Sequence, residues 1–320
     1  MLSTEEIVAA NALKRIARND GMKQYIQNSK DLYPVFQRAA KRFITGETRE
    51  DGIQRARSLN DKGYPVSLEY IGENTATKEE CVKAKNEMIE LIGDIQSHGI
   101  DSKISFDLSH IGLSVDESLA LKHMDELAGV AKQHVCYLMI SMEESAKTNS
   151  ILNIYKQVSS IYNNVGITLQ VNLKRSLDDL RELLHFPGKI RLVKGAYKES
   201  PEIMIQRSEE LNHRYLQFVQ ECLDVNHPIS IATHDEKLLN EIKKRGYAQK
   251  SNVEIEMLDG IRPDLINQSK EEGYNTRVYL LYGLEWFLYV CHRLAENPPN
   301  IYQFIADMVN VESLEVVDPY

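Results

Sequence analysis

Short apolar runs recur along most of the chain, and segments with helical periodicity separate them. The runs predict eight strands at 66–70, 104–108, 135–140, 167–171, 190–193, 229–232, 253–257 and 276–280. Amphipathic segments predict helices at 78–97, 116–133, 150–162, 177–184, 201–223, 236–245, 263–271 and 284–296. Short strands that alternate with helices, without hairpin turn signals, predict an α/β protein with a closed parallel (β/α)₈ barrel.

The first 60 residues or so lack strand signals and repeat apolar residues at helical spacing, as in Ile7, Ala10 and Leu13. They predict an N-terminal helical arm at 1–60, followed by a barrel domain at 61–320. A doubly wound open sheet is the structural alternative. No Gly-x-Gly-x-x-Gly motif follows a predicted strand, so a dinucleotide-binding sheet has little support.

Charge and composition narrow the class of partner. The chain has 320 residues, a net charge of −9 and a pI near 5.6, which argues against a surface that neutralises nucleic-acid phosphates. No apolar stretch reaches the ~20 residues of a membrane span, and Glu5 and Glu6 lie where a signal peptide would be basic and then apolar. We expect a cytoplasmic protein with at most peripheral membrane contact. The four cysteines are widely spaced, as is typical of reduced structural thiols.

Chemistry in a parallel barrel is expected at the carboxyl ends of the strands. The polar residues and tyrosines there are Glu69, Asp107, His110, Ser141, Glu143, Gln170, Asn172, Lys194, Tyr197, Thr233, His234, Asp235, Asp259, Tyr279 and Tyr282. A set rich in His and Asp admits a metal-dependent hydrolase. No His-x-His pair lies on the first strand, however, and the spacing predicts no metal site.

Several motifs occur together and in order: 40–48, 70–73, 189–197, 231–236, 258–263 and 289–297. The segment at 189–197, an apolar strand that ends in Lys-Gly-Ala-Tyr, is the most informative of them. In this combination the chain resembles the proline dehydrogenase family, of the monofunctional bacterial type. The resemblance implies a distorted barrel that holds FAD non-covalently across its carboxyl mouth, with the last helix over the flavin.

The resemblance also implies roles for individual residues toward the cofactor. Arg191 falls where the family places a guanidinium beside the reactive edge of the isoalloxazine, and Gln170 falls where an amide hydrogen-bonds the ring. A fixed cation there would stabilise the negative charge of a reduced flavin. The other matching positions are the backbone neighbours Val193, Gly195 and Ala196, and the adenosine-side pair Thr233 and His234. Arg207 and Ser208 are candidates for the pyrophosphate.

The half of the site that recognises the substrate carboxylate departs from the family pattern. Asp107 stands where the family carries a lysine that binds the carboxylate, and Ser141 stands where that lysine has an aspartate partner. His292 precedes Arg293 where the family has two arginines. Each lost charge-assisted contact is worth about 1.5–3 kcal/mol, so recognition of free proline is expected to weaken.

The remaining pocket positions match the family. Tyr197, Tyr279 and Tyr289 correspond to its aromatic walls, Leu258 to an apolar wall, and Glu296 to the residue that orients Arg293.

These matches imply an FAD-dependent dehydrogenase that oxidises the C–N bond of proline or, preferentially, of a proline-like or amine substrate to an imine, with hydride transfer to flavin N5. The candidate catalytic residues are Arg191, Asp107 and Tyr279. Asp107 would bind the substrate ammonium, take its proton or pair with His292. A quinone or another carrier would accept the electrons. The alternatives are an ordinary L-proline dehydrogenase with a rewired carboxylate site and an inactive flavin-binding scaffold.

Overall fold

The computed structural model describes residues 3–17, 19–72, 75–197, 199–296, 299–309 and 318–320, without the side chains of Asp20, Glu296 and Pro299. Eight parallel strands close into a barrel in chain order. They are β1 Val66–Tyr70, β2 Ser102–Phe106, β3 Tyr137–Ile140, β4 Val165–Gln170, β5 Ile190–Val193, β6 Ile229–Ala232, β7 Val253–Leu258 and β8 Thr276–Tyr282. The predicted (β/α)₈ barrel is confirmed, and each predicted strand end lies within two residues of its observed position.

Helices precede the barrel, follow each strand and extend beyond the last one. The arm contains α1 Thr4–Ala17, α2 Asp20–Asn28, α3 Leu32–Ala40 and α4 Arg49–Asp61. The helices that follow the strands are α5 Lys78–Ser97, α6 Glu117–Gln133, α7 Thr148–Ser159, α8 Ser176–Leu183, α9 Glu209–Asp224, α10 Glu236–Lys244, α11 Pro263–Glu271, α12 Trp286–Glu296 and α13 Pro299–Val309. In the part of the chain that the structure describes, no helix is both long and apolar enough to cross a membrane.

One predicted helix starts at the wrong residue, and one observed helix was not predicted. Helix α9 begins at Glu209 instead of residue 201, because the Ser208 side chain accepts a hydrogen bond from the Leu211 backbone N–H and caps the helix there. Helix α13 was not predicted. It starts at Pro299, and proline is well tolerated at the first position of a helix.

The two faces of the strands differ sharply in polarity. The residues that alternate toward the helices are apolar and buried, as Leu68, Ile104 and Ile167 illustrate. The other set faces the inside of the barrel and is largely polar: Ser67, Glu69, Lys103, Ser105, Thr168, Arg191, Ser230, Glu254, Glu256, Arg277 and Tyr279. The barrel interior is therefore an ion-paired core, because charged groups removed from water need partners.

A second apolar cluster closes one side of the barrel mouth. It joins Phe43 of the arm, Trp286 and Val290 of α12, and Tyr279 and Leu281 of β8. Leu258, the last residue of β7, and Tyr289 of α12 pack against this cluster. Helix α12, which corresponds to the predicted helix at 284–296, therefore lies against the carboxyl ends of β7 and β8.

Candidate active site

Arg191 lies inside the barrel and is only 3% exposed. Its Nε and Nη2 donate to the two carboxylate oxygens of Glu256 at 2.7 and 2.8 Å. Nη2 also donates to Ser105 Oγ at 2.9 Å, and the guanidinium carbon lies 4.8 Å from the centre of the Tyr279 ring. Burial opposes the charge, but Glu256 keeps the pKa of Arg191 above its ordinary value, so the guanidinium is held as a cation.

Glu256 completes this pair from β7. Its carboxylate accepts further hydrogen bonds from Ser67 Oγ at 2.6 Å and from Ser230 Oγ at 2.7 Å. Burial alone would raise the pKa of Glu256, but the charge and hydrogen bonds of Arg191 lower it to about 2. Strands β5 and β7, which are separated only by β6, thus present a fully hydrogen-bonded ion pair.

A second ionic group lies one layer farther from the mouth. Glu254 pairs with Lys103, with Lys189 Nζ at 3.1 Å and with Arg277 Nε at 3.3 Å. Glu254 and Glu256 alternate on one strand, so both face inward and occupy successive layers. These deeper ion pairs therefore hold several strands together near their amino ends.

Glu69 and Tyr279 form a short hydrogen-bonded contact between β1 and β8, in which the tyrosine hydroxyl donates. Glu69 is half-buried and Tyr279 is 8% exposed. Burial raises the pKa of Glu69 to about 7, although the Tyr279 hydrogen bond and the Arg191 charge act in the opposite direction. This carboxyl group can therefore gain or lose a proton near neutral pH.

The end of β4 carries two buried amides. Gln170 Nε2 donates to the Glu143 carbonyl at 2.7 Å, while Gln170 Oε1 and Asn172 Oδ1 are buried without a hydrogen-bond partner among the described residues. Gly195, just past β5, has φ +105°, and a Cβ at that position would lie 2.2 Å from Asn172 Oδ1. The absence of a side chain at residue 195 is what lets the two strand ends approach.

The residues on the two sides of Gly195 have different surroundings. Lys194 Nζ donates to Asn212 Oδ1 at 2.6 Å and to Asp235 Oδ2 at 2.5 Å, which ties β5 to α9 and α10. Ala196 and Tyr197 are exposed, and Tyr197 is 37% accessible. The cation in the Lys-Gly-Ala-Tyr motif therefore stabilises the barrel, and the following residues are open to a ligand.

Thr233 and His234 follow β6 directly. The Leu258 backbone N–H donates to His234 Nε2 at 3.0 Å, so this nitrogen is unprotonated. Burial, followed by the charges of Arg293, Arg262 and Arg207, lowers the pKa of His234 to about 3. The imidazole is neutral and positions the end of β7, where Leu258 is half-buried.

Asp107 and Ser141 lie at neighbouring strand ends. Ser141 N donates to the Phe106 carbonyl at 2.9 Å, which keeps β2 and β3 paired as they reach the mouth. Asp107 follows Phe106 and has the same inward parity as Ser105, the residue that pairs with Glu69. Both Asp107 and Ser141 are half-buried. The structure therefore places a second acidic residue directly after β2, the strand that pairs with the strand of Glu69.

Helix α12 presents one face toward this mouth. Tyr289, His292 and Arg293 are half-buried and share a helix face by their spacing. The Arg293 guanidinium carbon lies 5.4 Å from the centre of the Tyr289 ring, and its charge contributes to the lowered pKa of His234, just past β6. The predicted partner Glu296 lies outside the described side chains, so its pairing with Arg293 stays a prediction.

Sequence reasoning missed Glu256 as a site residue and noted Glu69 only as a strand end. The sequence does carry a signal for these residues, because Val253-Glu254-Ile255-Glu256 alternates carboxylates with apolar residues, and a strand of a parallel barrel is buried on both faces. Charged residues at alternate positions of such a strand must pair inside the barrel. Among the described residues, no group of three His, Cys, Asp or Glu side chains is placed to hold a metal ion.

Comparison with known proteins identifies the family. The proline dehydrogenase family model matches residues 52–304. The chain is 33% identical over 264 residues to proline dehydrogenase 1 of Bacillus subtilis subsp. natto, covering 82% of this chain and 87% of that one. It is 32% identical over 269 residues to the proline dehydrogenase of Deinococcus radiodurans, with 82% and 87% covered.

Solved structures support the fold. The chain is similar in fold to proline utilization A from Bdellovibrio bacteriovorus, inactivated by N-propargylglycine, with a TM-score of 0.75 and 16% identity over 96% of this chain and 37% of that one. A mutant of Bradyrhizobium japonicum proline utilization A gives 0.71, with 17% identity over 97% and 41%. The resemblance predicted from the strand-end motifs is confirmed: the chain belongs to the proline dehydrogenase family and is an FAD-dependent oxidoreductase acting on CH–NH donors.

Proposed function

We propose that this protein oxidises the C–N bond of a proline-like or amine substrate to an imine at the carboxyl mouth of the barrel. The observation that carries the proposal is the pair of carboxylates, Glu69 and Asp107, at adjacent strand ends. Carboxylates that are partly shielded from solvent favour a cationic ligand and repel an anionic one. A substrate ammonium fits such a site better than a free carboxylate does.

The residues at the end of β4 and β5 fit the flavin of FAD. Gln170 Oε1 and Asn172 Oδ1 are buried acceptors that lack a described partner, and an isoalloxazine edge offers both N–H and C=O groups. Gly195 leaves the backbone accessible beside them. We therefore assign Gln170, Arg191, Val193, Gly195 and Ala196 to the flavin, and Thr233 and His234 to the adenosine side. When bound, the flavin supplies a hydride acceptor at N5.

The chain's own residues prepare the substrate for this transfer. Glu69, whose pKa lies near 7, receives a proton from the substrate ammonium, so that the amine lone pair becomes available. Tyr279 holds that carboxylate through its hydroxyl and presents its ring toward the Arg191 cation. Asp107 binds the remaining N–H. Leu258 and Tyr289, with the apolar cluster behind them, exclude water from one side.

Ordinary oxidation of L-proline is the second candidate, because the matched relatives carry the name proline dehydrogenase. Arg293 then holds the substrate carboxylate from α12, with His292 as a second donor. The two candidates make opposite predictions about Asp107. An aspartate beside a bound carboxylate lowers affinity, whereas an aspartate beside an ammonium without a carboxylate raises it.

Anaerobic mixing with amines separates the candidates. The purified flavoprotein is mixed with L-proline, L-prolinamide, proline methyl ester or pyrrolidine, and loss of the oxidised flavin absorbance is followed. We expect faster bleaching by the carboxylate-free compounds than by L-proline. Efficient bleaching by L-proline alone contradicts the proposal. If no amine bleaches a flavin that dithionite reduces, the protein is an inactive flavin-binding scaffold.

Charge-changing variants sharpen the comparison. Asp107→Lys combined with His292→Arg is expected to increase bleaching by L-proline and to decrease bleaching by pyrrolidine. Asp178→Lys makes the charge change of Asp107→Lys on an α8 side chain that is 89% exposed, and serves as the control for that substitution. Reoxidation is tested separately with a short-chain quinone, which we propose as the class of electron acceptor.

A further inference from the structure

Glu256 has no assigned role in the chemistry, yet it is the residue most tightly joined to Arg191. The carboxylate is 1% exposed and meets the guanidinium through two parallel hydrogen bonds of 2.7 and 2.8 Å. Ser67 and Ser230 donate to its two oxygens from β1 and β6. The carboxylate is thus fully coordinated and cannot turn away from the arginine without losing these bonds.

Glu256 changes the electric field that the Arg191 guanidinium exerts on a neighbouring group. A bare guanidinium beside a flavin would stabilise the reduced form, because reduction adds negative charge to the ring. A carboxylate that touches the same guanidinium offsets part of that field, and burial of both side chains leaves the two charges poorly screened by solvent. The Arg191–Glu256 pair is close to neutral when seen from outside.

We propose that Glu256 is a positioning residue that fixes the Arg191 guanidinium and lowers the midpoint potential of the bound flavin. This role rests on the proposed function, since it requires Arg191 to lie beside the flavin. It makes the cofactor a weaker oxidant than an unopposed arginine would make it. Reoxidation by the electron acceptor is correspondingly more favourable.

The midpoint potential of the bound FAD tests this role directly, by anaerobic titration of the purified flavoprotein against reference dyes. Glu256→Gln removes the charge at nearly constant shape, and we expect its potential to shift upward. Glu256→Asp keeps the charge but moves it away from Arg191, so its shift should be upward and smaller. A potential for Glu256→Gln that equals or falls below that of the wild type overturns the proposal.

Glu254→Gln is the matched control. Glu254 is also buried, lies on the same strand and pairs with cations, but it belongs to the deeper layer. We expect this variant to lose stability without a shift in potential. An equal shift in both variants would show that the net charge of the barrel acts on the flavin, and would overturn the local role of Glu256. If Glu256→Gln does not accumulate as a folded flavoprotein, the comparison of Glu256→Asp with wild type carries the test.

Arg191→Met distinguishes failure of this inference from failure of the proposed arrangement. If Arg191→Met lowers the potential while Glu256→Gln leaves it unchanged, Arg191 lies at the flavin and only the role of Glu256 is wrong. If Arg191→Met leaves the potential unchanged, Arg191 does not lie at the flavin. Both assignments then fail together.

Discussion

Gly195→Ala tests the close approach of the β4 and β5 ends. The φ angle of +105° is one that an L-residue adopts at a cost of about 1–2 kcal/mol. The added Cβ would also lie 2.2 Å from Asn172 Oδ1 and 2.4 Å from Asn172 Cγ, far inside van der Waals contact. Such overpacking adds about 1–3 kcal/mol, so the total loss in unfolding free energy is about 2–5 kcal/mol.

The two contributions separate in an Asn172→Ala background. Truncation of Asn172 removes the atoms that the new Cβ meets, so Gly195→Ala should then cost only the backbone term of about 1–2 kcal/mol. Urea unfolding of the four proteins, each with excess FAD, gives the coupling free energy. Gly93→Ala in α5, where no atom lies within 4 Å of the added Cβ, is the control and should stabilise by about 0.5–1 kcal/mol. Equal costs of Gly195→Ala in both backgrounds would refute the steric reasoning.

Three further predictions concern titration and the Lys-Gly-Ala-Tyr motif. Glu69 has a pKa of about 7, so its proposed role as the proton acceptor predicts that kcat/KM for an amine rises with pH through about 7 and that Glu69→Gln flattens that step. An unchanged pH profile in Glu69→Gln would exclude Glu69 as the proton acceptor. His234 has a pKa of about 3 when folded, below its ordinary 6.5, so its contribution to stability is present above pH 6.5 and is lost as pH falls. Between pH 6.5 and 4 the free energy of unfolding of His234→Gln should therefore depend less steeply on pH than that of the wild type. Lys194→Met removes the hydrogen bonds to Asn212 and Asp235 and should lower the free energy of unfolding in urea by about 1–3 kcal/mol while FAD stays bound. Loss of FAD at unchanged stability would show instead that the lysine binds the cofactor.

The pattern of hydrophobic and polar residues along the chain was sufficient to predict the barrel. Strand β1 at 66–70 and helix α5 at 78–97 have their predicted bounds, because apolar alternation and a Thr77–Glu80 capping box are local signals. Where a local signal was ambiguous, the prediction was wrong. Proline at 299 reads equally well as the end of one helix or the first residue of the next, and packing against α3 and α12 decides for α13.

Some features of the candidate site were also predictable from the sequence, and others were not. The motif at 189–197 and the departures at Asp107, Ser141 and His292 are properties of single positions, and the sequence alone was enough to determine the family and to question its usual substrate. The partners of these residues come from strands far apart in the chain. Arg191 and Glu256 are 65 positions apart, and Glu69 and Tyr279 are 210 apart, so only closure of the barrel brings them into contact. Because the orientation and charge of the Arg191 guanidinium and the proton affinity of Glu69 depend on these contacts and on burial, only the tertiary structure decides them.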